Sequence, residues 1–228
     1  MTSLTQFLAF LSIAASLWSA CRPSERSSVE TVEFYVRYMK QEGQSLAEAV
    51  VRRRDERDSL YSIEVPGGML YRNEPMRLLE LAGTLTYRWA GTGTYVEHHP
   101  FRWSDALGRP REYTLTMPPV LDLSMGGKKL PLNRPATLRW HGPPIGEKET
   151  WVIIWEQAGQ PAVVPMEIVC TPGSDRIEFP AAQLAKLGPG TWTYYVVRKK
   201  ALYQESPSLV LKGVAEYYSD VDTVELLK

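Results

Sequence analysis

The sequence has little cysteine and little histidine, two and three residues among 228. Two cysteines cannot staple a disulfide scaffold. Three histidines, two of them adjacent at His98 and His99, supply no metal-ligand spacing. A surplus of charge is missing as well, since 26 Lys and Arg are matched by 26 Asp and Glu. A dedicated nucleic-acid binder would show a basic excess, so that balance argues against nucleic acid as a partner. The chain contains no Gly-x-Ser-x-Gly elbow, no His-Glu-x-x-His, no phosphate loop and no dinucleotide fingerprint. Leu123-Ser124-Met125-Gly126-Gly127 keeps only part of the serine elbow and reads as a hairpin turn. These absences describe a protein that is not an enzyme and carries no cofactor and no metal.

What is present starts with the first twenty residues, which hold no charged side chain. Phe7 to Trp18 is a mostly apolar run, too short for the roughly 20 residues of a membrane-spanning helix. The chain turns polar at once in Arg22-Pro23-Ser24-Glu25-Arg26. Leu17-Trp18-Ser19-Ala20-Cys21 resembles the lipobox of bacterial lipoproteins, whose cysteine is diacylated and becomes the new N-terminus. The resemblance implies a signal peptide over 1–20, lipidation at Cys21, a linker over 21–28, and export to the cell envelope as a membrane-anchored protein. It leaves the periplasmic and outer-membrane or surface locations both open. If Cys21 is acylated, Cys170 has no partner within the chain. If cleavage spares an unmodified Cys21, a Cys21–Cys170 bridge opens in an oxidising compartment.

Residues 29–58 read as helical. Ser27-x-x-Glu30 and Ser45-x-x-Glu48 match the capping box, and Val32, Val36, Met39, Leu46 and Val50 keep helical spacing if Gly43 fills one step. That predicts one kinked helix or two short ones, packed against the β region. The segment ends in Arg52 to Asp58, where Arg52–Glu56 and Arg54–Asp58 are opposite charges four residues apart.

From Tyr61 onward the text is β. Leu85, Tyr87 and Trp89 alternate with polar residues, as do Tyr113, Leu115 and Met117, with Gly67-Gly68, Pro118-Pro119 and Gly126-Gly127 as punctuation. The pattern predicts a small β domain over 61–118, with a seam between Pro118 and Gly127. The small domain either stands alone or shares a sheet with the C-terminal runs. Further on, Ala136 to Pro144 resembles the second strand of a fibronectin type III domain, an alternating strand ending on Trp140 before a proline-rich turn. Leu187-Gly188-Pro189-Gly190-Thr191 resembles the corner before that family's sixth strand, although Thr193 stands where the family has its corner tyrosine. The resemblance implies an Ig-like, fibronectin type III-like sandwich over 120–212, followed by a C-terminal β extension over 213–228. Pro180 to Leu187 also reads as one extra helical turn. The expected fold class is mainly β: an Ig-like (fibronectin type III-like) β-sandwich preceded by a smaller β segment and an N-terminal helical region.

Few residues offer a site. Trp103, in Pro100-Phe101-Arg102-Trp103-Ser104-Asp105, is the best exposed aromatic candidate for ligand binding, with His98 and His99 beside it. Neighbouring residues on a strand face opposite sides, so the two histidines cannot share one metal without a loop. Trp140 and Trp192 belong to the core by their motif positions, and Cys170 reads as a buried, inert thiol. The expected function is that of a lipid-anchored interaction or structural module with an envelope protein as partner. The alternative is a surface glycan-binding module using exposed aromatics. A contiguous aromatic patch would favour the glycan, and a flat apolar patch or open strand edge would favour the protein.

Overall fold

From Val32 onward the first described strand alternates buried and half-exposed residues. The structure is a computed structural model and describes residues 29–54, 58–159 and 163–228. The expected signal peptide, Cys21 and the linker lie outside the described residues. In chain order the strands are β1 (Glu30–Met39), β2 (Gln44–Arg54), β3 (Leu60–Ser62), β4 (Leu70–Tyr71), β5 (Glu74–Pro75), β6 (Arg77–Leu81), β7 (Thr84–Thr92), β8 (His98–Ser104) and β9 (Pro110–Thr116). They continue with β10 (Leu121–Ser124), β11 (Lys129–Pro131), β12 (Ala136–His141), β13 (Glu149–Gln157), β14 (Val163–Ile168) and β15 (Arg176–Phe179). A one-turn helix, α1 (Ala181–Leu184), precedes β16 (Gly190–Ser206), β17 (Leu209–Tyr218) and β18 (Asp222–Leu227).

The expected helix over 29–58 is corrected by β1 and β2, which form an antiparallel hairpin from Glu30↔Arg53 to Met39↔Gln44. The residues carry two periods at once. Helical spacing picks out Val32, Val36 and Met39, whereas a period of two picks out Val32, Phe34, Val36 and Tyr38, which are the ones buried. β-branched and aromatic residues favour the second reading. Gly43 is not a helix kink: it sits at φ +60° and donates its N–H to the Lys40 carbonyl in the hairpin turn. Arg54 and Asp58 do pair at 2.6 Å, but Arg54 closes a strand. Arg52 bonds across the hairpin to Glu33.

Eleven strands share one sheet, whose main path is β11-β18-β16-β17-β1-β2-β7-β6. Two smaller sheets, β5-β4-β8-β9 and β10-β12-β15, complete the architecture. The first packs on β1: Phe34 lies 4.5 Å from Phe101, 5.6 Å from Trp103 and 5.8 Å from Tyr113, ring to ring. The second packs on β13, with Trp140 4.5 Å from Trp151 and Trp155 6.5 Å from Phe179. Aromatic pairs at such spacings contribute about 0.5–1.5 kcal/mol each beyond simple burial. Tyr217 and Arg198 are directly paired on neighbouring strands and both are buried, so the two small sheets cover the same face of the large one.

The C-terminal sandwich places β10-β12-β15 against β14-β13-β16-β18, the three-on-four antiparallel arrangement expected of an Ig-like, fibronectin type III-like sandwich. Leu187 is buried at its end, Trp192 donates to the Gly188 carbonyl at 3.3 Å, and α1 supplies the extra turn. In place of a corner tyrosine, the Tyr194 hydroxyl donates to Asp222 at 2.9 Å.

One departure reorganises the expected boundaries. β16 is 17 residues long. Its first part pairs β18, and its remainder pairs β17, which lies parallel to β1. The two β regions therefore share a sheet, and Leu209–Tyr218 belongs inside it, where the sequence suggested a break at 212–213. Gly213 permits the close approach of β9 to β17, because a Cβ there would stand 2.6 Å from Leu115 Cδ2.

Candidate functional site

The residues named from the sequence do not meet at one exposed place. Trp103, on β8, is 5% exposed and packs under β1, which corrects the expectation of an exposed platform. Strand alternation is the reason: Phe101 and Trp103 point inward while Arg102 points outward to Glu112 at 2.9 Å and Asn73 at 2.6 Å. His99 follows the same inward row, and its Nδ1 bonds the Tyr71 hydroxyl at 2.7 Å while Nε2 has no partner. Burial holds its imidazole neutral, with a pKa lowered to about 4, and the Arg72 and His98 charges add to that. His98 faces outward. The two histidines thus part company, as adjacent strand residues must.

Asp105, the acidic group that could have completed a catalytic pocket with either histidine, is committed elsewhere. It receives the Leu107 and Arg109 amides at 2.9 and 3.0 Å, Arg109 Nε at 2.8 Å and Arg111 Nη2 at 2.9 Å. Burial raises its pKa, but these donors outweigh burial and hold it at about 2. Asp105 organises the β8–β9 turn. A cleft of about 570 Å³ opens beside that turn, lined by Pro66, Leu70, Arg102, Trp103, Pro110 and Glu112 among others. Among the described residues no three His, Cys, Asp or Glu side chains gather as a metal site. The half-buried Cys170 thiol donates to the Ile168 carbonyl at 3.5 Å, and burial raises its pKa.

The aromatic residues are largely internal. Trp151 and Trp155 are fully buried, Trp192 is 3% exposed, and Trp89 and Trp140 are half-buried against the core. The exposed aromatics among the described residues are Tyr61 and Tyr203, on different strands.

Sequence reasoning missed the outer face of the large sheet, because its strands β1 and β2 read as helix. Both small sheets lie on the opposite face, so the outer face runs uncapped by either of them across β16, β17, β1, β2 and β7. At its centre Glu216 accepts from the Tyr35 hydroxyl at 2.7 Å and the Tyr218 hydroxyl at 3.2 Å, with Lys199 Nζ at 3.6 Å. Tyr195 stacks on Tyr218 at 6.3 Å. Burial, then the Glu216 carboxylate, pushes the Tyr35 hydroxyl pKa up, so it stays a donor. Farther along the face Arg88 pairs Glu48 at 2.5 Å. Beside Glu216 in the parallel register stands Arg37, over a depression of about 310 Å³. The face is largely half-exposed and carries Tyr35, Tyr195, Tyr218, Arg37, Arg52, Arg88 and Met39 beside Glu33, Glu48, Lys199 and Lys212. Its tyrosines and arginines are of the types enriched at protein interfaces.

No family model matches the chain, and no curated protein matches it. Among solved structures it is similar to the FN1–FN3 domains of chicken CNTN1, with 10% identity and a TM-score of 0.25. The likeness covers 87% of this chain and 66% of that one, a little under two thirds of its length. At that score the likeness adds nothing to the fold, which rests on the strand order and register above.

Proposed function

We propose that this chain is a non-enzymatic interaction module of the bacterial cell envelope, anchored by lipid on Cys21, that binds a protein partner through its sandwich. The observation that carries the reading is the outer face of the eleven-stranded sheet. It extends across both sandwiches, and it presents Tyr35, Tyr218, Arg37, Arg88 and Met39 at half exposure. Such residues anchor protein partners because they give large contact areas with a polar handle. The commitment of Asp105 to its own turn and of His99 to Tyr71 supports the non-enzymatic part. The glycan alternative draws less support, since Trp103 and the other indoles among the described residues are buried or half-buried against the core.

Two measurements test it. Intact mass and membrane fractionation of the native protein and a Cys21→Ala variant should show a diacylglyceryl-sized increment and membrane association in the first alone. An unmodified, full-length chain in the cytoplasm would overturn the anchor. Photo-crosslinking groups placed at Tyr203 and Thr92 on the outer face should trap a discrete protein adduct in whole cells, while Glu112 and Thr137 on the small sheets should not. Adducts from the small sheets alone would overturn the choice of face.

A further inference from the structure

We infer that the depression beside Arg37 is the pocket in which the protein partner seats an acidic side chain; this rests on the interaction-module reading above. Three observations on the outer face combine. First, Arg37 is half-buried, its Nε is buried without a hydrogen-bond partner, and no carboxylate lies within ion-pair distance of it among the described residues. Other arginines on these strands are paired: Arg52 with Glu33, Arg53 with Glu30 and Arg88 with Glu48. Second, the nearest acid in register, Glu216, already holds two tyrosine hydroxyls and faces Lys199. Its Oε2 holds both tyrosines and its Oε1 faces Lys199, and neither oxygen stands within ion-pair distance of Arg37. Third, the row Arg37↔Leu46↔Ala90 and the next row Met39↔Gln44↔Thr92 shape a hollow of about 310 Å³. Its floor is low at Ala90, and Met39 and Leu46 make its sides apolar.

The chemistry required of an occupant follows. A guanidinium offers paired donors that match a carboxylate, and a charge-assisted bond is stronger than a neutral one. The apolar sides suit the methylene stem of Glu or Asp together with a neighbouring apolar side chain. Tyr35 and Tyr218, on either side of Glu216, supply the surrounding contact that excludes water from a central charged pair. A carboxylate from a partner therefore answers a half-buried guanidinium that has no ion-pair partner among the described residues.

The test uses the purified full chain, labelled with ¹⁵N, and observes the Arg37 Nε–H resonance. The probes are acetylated, amidated hexapeptides with Glu or Asp at one position and the rest randomised, against the same set with Gln or Asn. The expected result is that acidic peptides move the Arg37 resonance and amide peptides bind at least tenfold more weakly, the difference between charged and neutral hydrogen bonds. Arg37→Met, and Ala90→Trp, which fills the hollow while keeping Arg37, should each abolish the peptide-induced shifts of the backbone amides of Leu46, Gly91 and Thr92 around the hollow, while the rest of the spectrum keeps its dispersion. Equal shifts with inorganic phosphate or acetate would overturn the proposal in favour of a free-anion site. No shift with any peptide, or binding that survives both substitutions, would overturn it as well. If outer-face crosslinks persist in Arg37→Met cells, the interaction module stands and only this pocket falls.

Discussion

Arg198 offers the sharpest quantitative test of how the two halves are held together. Its side chain is 0% exposed, and so nearly is its partner Glu149 at 1%. The guanidinium donates to Glu149 Oε2 from Nε at 2.9 Å and Nη2 at 2.8 Å. It also donates to the Pro144 carbonyl at 2.8 Å, Pro143 at 3.3 Å and Pro119 at 3.4 Å, and it sits 5.1 Å over the Trp151 ring. One cation thus ties the loops after β9 and β12 to β13 and β16. Glu149→Leu leaves that cation buried with neutral acceptors only, and Arg198→Met leaves the carboxylate with the Gly146 amide. Removing one partner of such a pair costs about 3–5 kcal/mol. In a chain of this size that lowers the unfolding midpoint by roughly 10 °C. The double variant should lose clearly less than the sum, because neither charge is then stranded, though three carbonyls still lack a donor. Urea unfolding followed by tryptophan fluorescence measures all four species. The exposed pair Lys129–Glu225, at 3.0 Å, is the control and should be worth at most about 1 kcal/mol. Single-variant losses below about 1 kcal/mol, or strict additivity, would refute the reasoning.

His99 makes stability depend on acidity. Its folded pKa of about 4 lies below the ordinary value of 6.5, so the unfolded chain takes the proton first. Stability is therefore intact above pH 6.5 and falls by about 3 kcal/mol on the way to pH 4. His99→Gln should flatten that segment of a stability-versus-pH curve. Gly142 sits at φ +136° with its would-be Cβ 3.0 Å from the Pro119 carbonyl oxygen, so Gly142→Ala should cost about 2 kcal/mol in urea unfolding. Trp103→Ala should cost about 3–5 kcal/mol, whereas His98→Ala should stay within about 0.5 kcal/mol. Equal effects at the two positions would show that the inward and outward rows of β8 are misassigned.

Turn chemistry and alternation make much of the fold legible in the residues alone. The Leu187–Thr191 corner, the tryptophan ending β12 and the single turn at Ala181 stand where the residues suggest. Each is a local event, a glycine with positive φ or an indole with a short-range partner. Residues 29–54 were misread because the capping-box serines and a Val-Val-Met stripe satisfy helical spacing as well as strand spacing. The β-branched and aromatic residues at a period of two favour the strand, and pairing in the β1–β2 hairpin and with the distant β17 fixes it. The site suffered for the same reason. Trp103 looks exposed when its sequence neighbours are polar, and becomes internal only when Phe34 of β1 is laid over it. Arg37, hidden in a supposed helix, could not be recognised as part of a flat face. The parting of His98 and His99 was legible, because a strand period of two needs no partner to be specified.

The parallel pairing of β1 with β17 also bears on the order in which the molecule can come into being. Tyr35 and Glu216, bonded across that pair, are 181 residues apart in the chain. As the chain grows, β2 gains β3 and β7 as neighbours early, yet the other edge of β1 has no partner until β17, nearly the last strand, has emerged. Contacts so distant in sequence slow folding, since the loop must close before the pairing rewards it. For most of synthesis the β1 edge of the N-terminal hairpin therefore stays open, and its closure waits for β17.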